Sequence, residues 1–146
     1  MVVEITLATT IEATPDQVWE AIADPTTHVE WMADAVAIDM VSPGPVAVGT
    51  EMRCLTRVGP FRTNDRLRIV VWDPPARMGV LHEGVITGVG LFTVEGSGDG
   101  TRFGWSESLR FPWWLGGPLA ERAAKPVLAR IWRKNLDSLK ELIEVA

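Results

Sequence analysis

The residue pattern predicts an α+β fold in which a curved antiparallel sheet of about seven strands wraps around one long C-terminal helix. Three observations carry this reading. Runs rich in apolar–polar alternation fill much of residues 35–111, separated by Gly, Pro and Asp turn chemistry. Helical spacing is confined to two short stretches after a first strand and to the C-terminal segment from 118 to about 144. That last segment carries a single apolar stripe, which needs a sheet to cover it. A sheet wrapped around a helix leaves room for a cavity between them.

Each element has its own justification. Residues 2–12, VVEITLATTIE, are rich in β-branched side chains and read as the first strand. In the following ATPDQVWEAIAD, Thr14 is placed to cap, Pro15 suits a first helical position, and Gln17 completes a capping-box spacing. Val18, Trp19 and Ile22 recur at helical spacing, which gives a short helix over 15–23. A second short helix restarts after Pro25 and ends near Trp31 and Met32. Strands follow at 35–41, 50–58, 61–72, 77–83, 85–96 and 101–111, with GSGDG as a hairpin turn between the last two. In the long helix, Leu119, Ala123, Val127, Ile131, Leu139 and Ile143 fall roughly on one stripe, and Pro126 is expected to kink or break it.

Composition narrows the function. A chain of 146 residues suits one domain with a sizeable core. The net charge of −5 speaks against a nucleic-acid partner, which needs a basic face to neutralise phosphates. Cys54 is the only cysteine, which suits a reducing compartment. No signal peptide or apolar run long enough to cross a bilayer is visible, so the reading is cytoplasmic, without membrane insertion. Homodimerisation stays open.

Four stretches, in order, carry a family resemblance: IEATPDQVWEAIADPTTHVEWM, VVWDPPARM, GSGDGTRFGW and RKNLDSLKELIE. Together they resemble the START-like (SRPBCC) superfamily of polyketide cyclase/dehydrase and lipid-transport proteins, and the likeness covers nearly the whole chain. The resemblance implies the helix-grip fold and a deep, mostly apolar pocket between sheet and helix. It implies a small hydrophobic partner such as a lipid, sterol-like compound or polyketide. Some members catalyse cyclisation or dehydration, and others bind protein partners. The fold alone does not choose among these.

Strand alternation selects the inward face without any family knowledge. Leaving the arginines in water turns Met52, Cys54 and Thr56 inward from one strand, and Asp65, Leu67 and Val71 from the next. His82 points inward from the strand after Asp-Pro-Pro. Phe103, Trp105, Glu107 and, if the parity runs on past Pro112, Trp113 point inward from the last strand. With Ile131 from the long helix, these residues apart from Val71 are the expected ligand-binding set. Asp65, His82 and Glu107 stand out on an otherwise apolar face. They are candidates for a general acid–base set, for a polar ligand anchor, or for ties that hold the sheet together. Trp72 has outward parity, and His28 reads as a surface residue. Trp113 is expected to close one end of the cavity with Trp114 nearer the rim, or else both staple helix to sheet. Two histidines and one cysteine without ligand spacing give no metal site. GVGLFT has Thr93 where a dinucleotide loop needs its last glycine, so no cofactor is expected. The leading function is binding of a small hydrophobic molecule. The alternatives are a cyclase/dehydrase-like enzyme using His82 with Asp65 or Glu107, and a partner-binding module with a filled core.

Overall fold

The structure, a computed structural model, describes residues 2–146. Strand β1 (Val2–Ile11) leads into helix α1 (Pro15–Ile22) and a 3-10 turn (Pro25–Glu30). Six strands follow: β2 (Ala35–Met40), β3 (Glu51–Val58), β4 (Phe61–Asp73), β5 (Arg77–Glu83), β6 (Thr87–Ser97) and β7 (Gly100–Arg110). A second 3-10 turn (Trp113–Leu115) precedes helix α2 (Gly117–Val145). The seven strands form one antiparallel sheet in the order β1-β7-β6-β5-β4-β3-β2. Every strand from β2 to β7 pairs with its sequence neighbour, and α1 with its 3-10 turn carries the chain from one sheet edge to the other. This is the helix-grip arrangement.

Local chemistry sets the α1 boundary. The Thr14 hydroxyl accepts from the Gln17 N–H, and the Gln17 side chain accepts from the Thr14 N–H, so two otherwise orphaned donors are satisfied. Helix α2 spans 29 residues, about 44 Å of rise. It runs through Pro126 without a break, and the ring lies on the exposed side. Its cationic side chains also cover the sheet edge. Arg133 donates to the Ala8 carbonyl at 2.8 Å and Lys140 to the Thr10 carbonyl at 2.7 Å. These bonds satisfy alternate free carbonyls of edge strand β1 and block pairing with another chain.

Two expectations about facing fail for identifiable reasons. The buried stripe of α2 contains Trp132, Asn135, Leu136 and Leu139, while Leu119 and Val127 are exposed. The expected stripe holds in the second half of the helix, where Leu139 is buried and Ile131 and Ile143 pack on the core, but it leaves out Trp132 and Asn135. Asn135 belongs on the buried side because its amide donates to Asp34 at 2.8 Å and accepts from the Ala33 N–H at 3.0 Å. In β4, the register with β5 shifts between Ile69 and Val71. That irregularity reverses the parity beyond it, so Trp72, not Val71, packs on the core, against Trp19 at 5.2 Å between ring centroids.

Candidate functional site: a sheet–helix cavity with a carboxylate wall

A cavity of about 350 Å³ lies between the concave sheet face and the first half of α2. Its two ends differ. At the end formed by the β3–β4 and β5–β6 turns, the lining residues Val58, Phe61, Ile86, Phe111 and Leu115 are only half-buried. At the other end Pro25, His28, Met52 and Met78 are buried. The cavity therefore opens toward the turns and is closed at an aromatic floor.

His28 forms part of that floor, contrary to its expected surface position. Its ring packs at 5.4 Å from Trp31 and 5.5 Å from Phe92, and its Nε2 lies 2.7 Å from the Ile22 carbonyl. A carbonyl only accepts, so Nε2 carries the proton. Burial lowers the His28 pKa, with the Ile22 bond and the charge of Asp24 opposing it, so the imidazole is held neutral.

Of the residues expected on the wall, Met52, Cys54 and Thr56 of β3 line the cavity, as do Asp65 and Leu67 of β4. His82, Trp105 and Glu107 line it as well. Three others do not. Phe103 points inward but is fully buried beneath Trp31 and Phe92, because strand parity selects a face and not the space above it. Ile131 is displaced by its helical neighbours Leu128 and Trp132, which take the lining positions. Trp113 is 85% exposed and Trp114 59% exposed. The strand ends at Arg110, Pro112 turns the chain into a 3-10 turn, and the strand parity stops there; Leu115 reaches the cavity instead.

The polar wall is built around a missing side chain. His82 on β5 and Glu107 on β7 are separated by β6, where Gly90 pairs directly with Glu107 and Gly88 with His82. A Cβ on Gly90 would stand 2.5 and 2.6 Å from the two Glu107 oxygens. The glycine lets the carboxylate lie flat across β6 and meet His82 Nε2 at 3.1 Å. Thus the GVG that resembles the start of a nucleotide loop serves to clear this strip of sheet. Glu107 Oε1 also accepts from the Trp105 indole at 3.3 Å. Burial alone would push the His82 pKa down. The hydrogen bond to Glu107, with the charges of Glu107 and Asp65, outweighs burial and holds it above the ordinary imidazole value.

Asp65 sits further along the same face. Its Oδ1 accepts from the Thr63 hydroxyl at 2.8 Å and the Val85 N–H at 3.1 Å. Asp34, which no sequence pattern singled out, is brought in from the turn before β2. It accepts from the Trp132 indole at 3.0 Å and from Asn135. Trp132 in turn stacks on Trp105 with centroids 5.0 Å apart, which links this group to the His82–Glu107 pair. Cys54 is buried with its sulfur 3.6 Å from the Thr56 hydroxyl. Burial, helped by the charges of Asp34 and Asp65, raises its pKa against the opposing bond to Thr56, so it is held as a thiol rather than an activated thiolate. Among the described residues, no group of three or more His, Cys, Asp or Glu side chains is disposed to hold a metal ion, and no helix is long and apolar enough to cross a membrane.

The comparison with family models decides the relationship: residues 2–144 match the model described as polyketide cyclase / dehydrase and lipid transport. The chain belongs to this family. A search of curated proteins returned no match. Among solved structures, the fold is similar to that of a protein from Thermus thermophilus, at 17% identity and a TM-score of 0.83 over 96% of each chain. It is also similar to the Zhui aromatase/cyclase from a Streptomyces species, at 16% identity and a TM-score of 0.81, covering 99% of this chain and 94% of that one. Ara h 8.0201 matches over the whole of both chains at 11% identity and a TM-score of 0.73. These likenesses establish the helix-grip fold, and the family description names polyketide cyclase/dehydrase and lipid transport together.

Proposed function

We propose that this protein binds one small, mostly apolar molecule inside the sheet–helix cavity, with the polar wall fixing its orientation. The observation that carries this reading is the cavity itself. It is large enough for a small ligand, closed at one end, and lined mainly by aliphatic, methionine and aromatic side chains, with a few convergent polar groups. An open cavity supports a ligand over an interaction module with a filled core. The family description, which includes lipid transport, supports the same reading.

A second reading is favoured by the His82–Glu107 pair. A histidine whose pKa is raised, 3.1 Å from a buried carboxylate, is suited to protonate a hydroxyl that leaves as water and to take up the proton released from the adjacent carbon, as a dehydration requires. The likeness to an aromatase/cyclase supports it.

Native mass spectrometry of protein purified without detergent tests the shared premise. A bound molecule released on denaturation is the expected result; an apo mass that persists after incubation with lipids, sterols and aromatic polyketides overturns it. His82→Gln then separates the readings. It shifts affinity modestly in a carrier and abolishes turnover of the extracted compound in an enzyme.

A further inference from the structure

We propose that the cavity selects apolar molecules whose polar end donates hydrogen bonds, a protonated amine above all and a hydroxyl next, and rejects carboxylates such as fatty acids. This inference rests on the ligand-binding reading above and narrows it to a substrate class.

The argument is a count of donors and acceptors along the wall. Three carboxylates line the cavity, Asp34, Asp65 and Glu107, and no lysine or arginine does. His82 is the one lining group that could offset them, so acidic side chains outnumber basic ones along the wall whatever its charge. Apart from His82 Nδ1, which has no protein partner, the main donors along this wall that could greet an anion are engaged. The Trp105 indole serves Glu107, and the Trp132 indole and the Asn135 amide serve Asp34. The Thr63 hydroxyl and the Val85 N–H serve Asp65, both on Oδ1. Asp65 Oδ2 accepts no hydrogen bond from the protein, and it is not among the sealed, unpartnered atoms of the described chain, so it faces open space. Asp65 itself is only 9% exposed. A ligand ammonium or hydroxyl satisfies this acceptor. A ligand carboxylate meets like charge in a poorly screened cavity and finds few free donors.

The test uses one alkyl chain with three head groups: 1-decylamine, 1-decanol and decanoate, titrated calorimetrically into the intact protein near neutral pH. The expected order is amine, then alcohol, then carboxylate, with decanoate at least about tenfold weaker than decanol. The alcohol is uncharged, so its advantage over decanoate measures how the site rejects an anion. Asp65→Asn should shrink the amine-to-carboxylate ratio by about tenfold. Asp39→Asn, an equal charge change on the exposed side of β2, should leave the ratio unchanged. Decanoate binding as tightly as decanol overturns the selectivity and leaves the binding function intact. Equal shifts from Asp65→Asn and Asp39→Asn also overturn it, because the preference then reflects net charge. Failure of all three compounds to bind overturns both the selectivity and the ligand-binding reading. Decanoate titrated into the wild-type protein decides the matter even if Asp65→Asn fails to fold.

Discussion

The two histidines of this chain line one cavity, one on its floor and one on its wall, and their pKa values are driven in opposite directions. His28, on the floor, has aromatic rings on two sides and one neutral carbonyl as its partner, so burial wins and the ring is neutral. His82, on the wall, is also largely buried, but it faces the Glu107 carboxylate with Asp65 beyond, and those charges win over burial. The outcome is set by whether the partner carries a charge, not by depth. The floor is therefore an ordinary piece of core that bounds the cavity, while the wall is where its titratable groups are concentrated.

The largest expected effect comes from breaking the floor. His28→Ala removes an aromatic-packed ring and strands the Ile22 carbonyl, and should cost about 2–4 kcal/mol in chemical denaturation. A loss below half that would mean the ring is incidental to the fold. Glu107→Gln breaks the wall instead. It should cost about 1–3 kcal/mol at acidic pH and lower the His82 pKa, read by NMR titration of the imidazole. An unmoved His82 titration would show that the pair is not coupled.

The third test uses pH. The folded pKa of His82 lies above its ordinary 6.5, so its contribution to stability is complete below that value and is lost as pH rises through the folded pKa. His28 has the opposite sign: its folded pKa is lowered, so its contribution is present above 6.5 and is lost as pH falls below it. The stability difference between wild type and His82→Gln should therefore be larger near about pH 6 than near about pH 8. A difference independent of pH would contradict the charged wall. The smallest effect is expected at the rim. Trp113→Ala should change stability by less than about 0.5 kcal/mol, because the side chain is 85% exposed and outside the cavity lining. A loss of several times that would restore the stapling role that its position in the sequence suggested.

The sequence alone determined the element order, the capping box at Thr14, the strand parities outside the β4 irregularity, and hence the inward placement of Asp65, His82, Trp105 and Glu107. These are local properties: a period of two, a cap three residues from its partner, a turn residue at its turn. Tertiary structure decided what lies next to what. Whether Phe103 meets a ligand depends on Trp31 and Phe92 from other elements, and Trp113 left the cavity because the chain turned at Pro112. Asp34 joined the wall only because α2 presents Trp132 and Asn135 to it across about a hundred residues of sequence, a pairing with no periodic trace. The contact between His82 and Glu107 needed β6 between them and Gly90 to leave the way clear, so the glycine gained its meaning from its neighbours' side chains.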